Sequence, residues 1–135
     1  MIIAFPMAVY VFYIFLIGIF NFLTRVQSAK TGKVRLSYFQ TYEGAAPDTM
    51  VMVGRHYDNQ FQVPMLFLIS CLATYNFHAV NGFAVGLAWV FVGSRVLHTY
   101  VHLKVKNVLL RARVYALGLL CVVALWINIL VHAAN

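Results

Sequence analysis

Charge is what this chain has least of. Only 10% of its 135 residues are Asp, Glu, Lys or Arg, against about a quarter in soluble domains. A soluble domain of this size needs a polar skin that this composition does not supply. Acidic residues are scarcest, three in all against ten Lys and Arg, for a net charge of +7. No serine stands near a histidine with an acidic partner, which argues against a hydrolase triad. The two cysteines, Cys71 and Cys121, lie inside apolar runs and form no close-spaced metal motif, so both read as buried free thiols. No glycine-rich phosphate loop is present.

What is abundant is apolar sequence: 63% of residues are hydrophobic. Four runs are long enough to cross a bilayer as helices of about 20 residues. They cover roughly 2–23, 50–74, 80–103 and 108–131, with a polar loop over 24–49. The first run has no basic residue before it and no small-residue cleavage site near Asn21, so it reads as a span and not a cleavable signal. Pro64 falls inside the second run, where it removes a helical hydrogen bond and bends the helix. We therefore expect an all-α membrane protein, a four-helix transmembrane bundle forming one domain over residues 1–135.

The basic residues lie between these runs and not along a polar face. Nucleic acid is therefore not the expected partner. Arg25, Lys30, Lys33 and Arg35 follow the first run. Lys104 and Lys106, then Arg111 and Arg113, lie between the third and fourth; the second connection has no Lys or Arg. This bias places the first and third loops in the cytoplasm and both termini on the opposite side. The short loops suit a bacterial inner membrane.

Ionisable residues inside apolar spans are costly and are usually paired or functional. Three clusters fall at one end of the second, third and fourth runs. Arg55, Asn59 and Gln62 share one helical face, with Asp58 within a turn. A structural Arg55–Asp58 ion pair is the bland account of that group. Arg95, His98 and His102 form a stripe, for which interhelical hydrogen bonding and snorkelling are the bland account. Arg111 and Tyr115 lie one turn apart. Together these residues line a polar pocket suited to a small molecule bearing carboxylates or a thiolate. Zinc held by His56, His98 and His102 is set aside at this point, because acidic ligands are scarce and no tight motif exists.

These residues also resemble a family, the membrane-associated proteins in eicosanoid and glutathione metabolism (MAPEG). "TGKVRL" at 31–36 resembles a segment of its prostaglandin E synthase branch, where the arginine matching Arg35 contacts glutathione. "RHYDNQFQ" at 55–62 is similar to a family motif of arginine, asparagine and glutamate, with Arg55 and Asn59 matching and Gln62 replacing the glutamate. "SRVLHTYVHL" at 94–103 matches at Arg95 and His98, with His102 where a tyrosine is common. "RARVY" at 111–115 matches at Arg111 and Tyr115, with Ala112 in place of a serine. Asp58 stands at a position that is basic in the prostaglandin branch.

The resemblance implies a homotrimer with glutathione bound between subunits near the cytoplasmic side. It implies a glutathione-dependent transferase or peroxidase acting on a hydrophobic electrophile or lipid hydroperoxide that enters from the bilayer. Arg111, Tyr115 and His102 would carry the chemistry. Arg35, Arg55, Asn59, Gln62, Arg95 and His98 would hold the cofactor. The same resemblance admits a second outcome, a non-catalytic lipid or glutathione binder of the same fold.

Overall fold

The computed structural model describes residues 3–105 and 107–134. Ile2, at the start of the first expected span, and Lys106 lie outside the described residues. The described chain is all-α. Helix α1 runs Ala4–Lys30, a single turn α2 covers Tyr38–Thr41, and α3 spans Asp48–Asp58. A 3-10 turn, Asn59–Phe61, separates α3 from α4, Val63–Asn76. Helix α5, Gly82–Tyr100, continues into a π-helical turn, Val101–Val105, and α6 covers Val108–Ala133.

The expected four-helix transmembrane bundle is corrected here. Among the described residues, three helices are long and apolar enough to cross a membrane: Ala4–Lys30, Gly82–Val105 and Val108–Ala133. The second run does not make a continuous span. Its helix ends at Asp58, the backbone tightens over Asn59–Phe61, and Gln62 leaves the helical path at φ −102°, ψ −110°. Pro64 does not bend a continuous helix. It sits in the first turn of the new one, where a missing N–H costs nothing and a fixed φ helps.

Helix α1 extends seven residues past the expected end of its run, into sequence read as loop. Thr24 and Ser28 explain this. Their hydroxyls bond the Phe20 and Thr24 carbonyls at 2.8 Å, so these polar side chains satisfy themselves against their own helix. Along α1 the buried positions are Pro6, Tyr10, Ile17, Asn21 and Ser28. Their spacing of four and seven residues marks one face. The opposite face exposes Phe5, Phe12, Phe15, Leu16, Ile19 and Phe22. Polar residues inward and large apolar ones outward is the arrangement that lipid favours.

An aromatic cluster joins the elements. Phe67 of α4 and Phe91 of α5 stack with centroids 4.0 Å apart. The edge of Tyr10 meets both rings, at 5.7 and 5.4 Å. The Tyr10 hydroxyl, buried with its ring, donates to Gln60 Oε1 at 2.6 Å. At the far end, Asn81 caps α5 by accepting from the Ala84 N–H at 2.8 Å and also donates to Asn128 Oδ1. Asn128 in turn donates to the Ala79 carbonyl at 2.9 Å. This ties the turn before α5 to α6, and α5 and α6 make the most extensive helix pairing.

Tyr10→Phe deletes the one bond that α1 makes to the Asn59–Phe61 turn through this ring. It leaves the buried Gln60 oxygen without its donor. A loss of about 1 kcal/mol is expected, read as a lower midpoint of thermal unfolding in detergent. An unchanged midpoint would show that the turn does not depend on this contact.

Candidate functional site

The polar ends of α3, α5 and α6 meet at one end of the molecule. Helix α3 bridges them. The Met52 carbonyl is 3.3 Å from His102 Nε2, and Gly54 packs near the side chains of Asn21 and Arg25 from α1. Between α3, α5 and α6 lies an open cavity of about 540 Å³. Arg55 and Asp58 reach it from α3, and Asn59 and Gln62 from the helix break. His98 comes from α5, His102 from the π-helical turn, and Arg111, Ala112 and Tyr115 from the start of α6.

The break and the π turn both shape this wall. Interrupting the second run stops Gln62 from continuing along α3 and leaves it exposed at the cavity edge. The π turn places His102, which is buried, against Arg111 Nη1 at 3.4 Å through Nδ1. Asn107 starts α6 by accepting from the Leu110 N–H at 2.9 Å, which sets Arg111 on the first turn.

Two residues expected at the site lie elsewhere. Arg95 is buried beneath the cavity and does not line it. Its Nη2 donates to the Val114 and Tyr115 carbonyls, both at 3.2 Å, and its Nε donates to Ser94 Oγ at 3.3 Å. The guanidinium lies over the rings of Phe91 and Tyr115, at 5.2 and 5.3 Å. Arg35 is exposed and lines a separate hollow with Lys33 and Glu43.

The structure adds residues that the sequence reading left aside. His56 is fully buried and stacks near His98 and His102, with ring centroids 5.9 and 5.2 Å away. Thr99 Oγ1 lies 2.8 Å from His56 Nε2 and donates to the Arg95 carbonyl at 3.0 Å. Tyr13 of α1 reaches the same hydroxyl, so α1 is hydrogen-bonded to α5 directly behind the histidines. A polar-tipped Tyr13 three residues after Tyr10 in an otherwise apolar run was the available signal. For His56 it was Gln60 four residues on, whose amide donates to the His56 carbonyl at 3.0 Å.

Gly118 makes the Arg95 arrangement possible. A Cβ there would collide with the Arg95 guanidinium. Gly118→Ala is expected to push Arg95 off the Val114 and Tyr115 carbonyls and to cost about 1–3 kcal/mol, measured by thermal unfolding in detergent. Gly93→Ala meets open space and serves as the control, expected to be neutral or to stabilise by up to about 1 kcal/mol. Equal effects at the two positions would contradict the packing described.

Comparison with known proteins agrees with this arrangement at the level of family. Neither the curated proteins nor the solved structures provide a match. The sequence pattern of the MAPEG family, by contrast, matches residues 3–131, from the start of α1 almost to the end of α6. The three long apolar helices and the polar cavity at one end therefore belong to an integral membrane protein of the MAPEG family.

Proposed function

We propose that the cavity binds glutathione and promotes its transfer to a hydrophobic electrophile, or its oxidation by a lipid hydroperoxide. The convergence of Arg55, Asn59, Gln62, His98, His102, Arg111 and Tyr115 on one cavity carries this reading. The volume lies within the range of about 300–1,000 Å³ usual for small-molecule sites. The donor set fits the ligand. Arg55 offers a cation for a carboxylate, Asp58 an anion for the α-ammonium, and Asn59 and Gln62 amides for the peptide groups.

Bound glutathione supplies a thiolate nucleophile. Arg111 favours that charge state, because a neighbouring cation lowers a thiol's pKa. Tyr115, one turn further along α6, offers a hydroxyl to the sulfur or to a leaving oxygen. Once Arg111 turns from His102 Nδ1 to the sulfur, the imidazolium form of His102 supplies a proton to the reacting oxygen. Arg95 acts from beneath by fixing the backbone that carries Tyr115.

Arg35 is separated from the cavity within one chain, and the cavity is open. A homotrimer that brings a neighbour's Arg35 to the ligand accounts for both, and a closed ring is the usual outcome for such an interface. The basic residues at this end of the bundle, Arg25 and Lys30 on α1 and Arg111 and Arg113 on α6, orient it to the cytoplasm, in a bacterial inner membrane. The apolar outer faces admit the second substrate from the lipid.

The second reading is a binder without chemistry. Gln62 and Ala112 favour it, since both line the cavity without the carboxylate and hydroxyl that the resemblance leads one to expect.

Titrating glutathione into the detergent-purified protein while recording thiolate ultraviolet absorbance separates these readings. The enzyme reading expects a thiolate signal at neutral pH that Arg111→Ala abolishes, and tighter binding in Gln62→Glu. Binding without that signal, and without turnover of model electrophiles or hydroperoxides, establishes the binder. No binding at millimolar glutathione overturns both readings.

A further inference from the structure

In the cavity wall, and with His56 just behind it, three imidazoles from two parts of the chain converge. We infer that His56, His98 and His102 form a binding site for one divalent transition-metal ion of the zinc class. One ring nitrogen from each lies within 4.8 Å of a ring nitrogen from both others. The ring centroids are 5.2 to 6.0 Å apart. Zinc–imidazole bonds of about 2.0–2.1 Å put the nitrogens of one tetrahedral ion about 3.3 Å apart. Closing the cluster onto an ion asks the rings, near-parallel in two of the three pairs, to rotate until their lone pairs converge.

Burial supplies the second argument. His56 is 0% exposed and His98 is 4% exposed. Among the described residues, no group meets either ring nitrogen of His98, or Nδ1 of His56, at ordinary hydrogen-bond geometry, and these atoms are buried. An imidazole kept from water without a partner is costly, and a metal ion gives its lone pair one. The outer partners that orient metal-binding histidines are also in place. His56 Nε2 lies 2.8 Å from the Thr99 hydroxyl and 3.3 Å from the Gln60 amide nitrogen, so that ring edge is engaged by protein. The Met52 carbonyl accepts from His102 Nε2–H. Each contact occupies one nitrogen and leaves the other for the ion.

Ligand type narrows the ion. Imidazole suits zinc, copper, nickel and iron, whereas magnesium and calcium require oxygen ligands. Three histidines leave a fourth position open, as in catalytic zinc sites. Since His98 and His102 line the cavity, an ion they hold would be reached from it. Arg111 competes with the ion, because its Nη1 lies 3.4 Å from His102 Nδ1. Metal occupancy requires this half-exposed side chain to swing away. The site does not depend on glutathione binding.

The test uses the full-length protein in detergent, stripped with a chelator and titrated with Co²⁺, whose visible bands report a low-coordinate site. Saturation at one ion per chain and displacement by Zn²⁺ are expected. His56→Gln and His98→Gln are each expected to weaken binding more than about 100-fold, and the outer-partner change Thr99→Val by about 10–100-fold. Arg111→Ala is expected to tighten it, and His78→Gln and His132→Gln, both at exposed positions, to leave it unchanged. X-ray absorption of the Co²⁺-loaded wild type does not rely on the variants folding, and three imidazole ligands are expected. Absence of a saturable band in the wild type, fewer than three imidazoles, or loss of the band in His78→Gln would overturn the inference. The glutathione titration, run on the chelator-stripped protein, tests the proposed function separately from these outcomes.

Discussion

A permanently charged guanidinium buried among apolar helices must be satisfied by protein, because lipid offers it nothing. Arg95 meets this demand with two carbonyls of α6, a serine hydroxyl of its own helix and two aromatic faces. Helix carbonyls already accept one bond each, and their second lone pairs are what Arg95 uses. Gly118 leaves the space in which the head group lies. The result fixes α5 against α6 just below the cavity. His98, one turn along α5, and Tyr115, whose carbonyl is held, take their positions from it.

The interrupted second run is the complementary device. Gln60, one turn after His56, faces inward to Tyr10 and the His56 carbonyl. At the break after the 3-10 turn, Gln62 is left exposed at the cavity edge. Asn59 and Gln62 thus contribute to the cavity from the break between α3 and α4. The aromatic stack of Phe67 and Phe91 closes the space immediately beyond. The polar region is therefore short, confined to one end, and backed by a dry core.

Much of this was legible from residue order. The apolar runs locate α1, α5 and α6, and the polar clusters at 55–62, 95–102 and 111–115 locate the cavity. The continuity of the second run was not legible, because hydropathy counts apolar residues and is blind to a backbone departure at Gln62. The place of Arg95 was not legible either. Its i, i+3 relation to His98 says that both lie on one face, but not that the guanidinium turns toward Gly118, 23 positions later. The histidine trio was nameable from residue order but set aside for want of a tight motif: His56 is brought to His98 and His102 only by the packing of α3 on the π turn. Arg35 illustrates the opposite case, a residue with a clear motif that one chain by itself does not carry to the cavity.

The central claim is that this cavity is where glutathione binds, completed by a neighbouring chain. A structure of the protein in lipid nanodiscs with glutathione added tests it most directly. The account predicts a three-fold assembly, with the glutathione sulfur beside Arg111 and Tyr115 and a neighbour's Arg35 on the same ligand. Glutathione bound away from α3, α5 and α6, or a monomer with the ligand held by one chain alone, would contradict it.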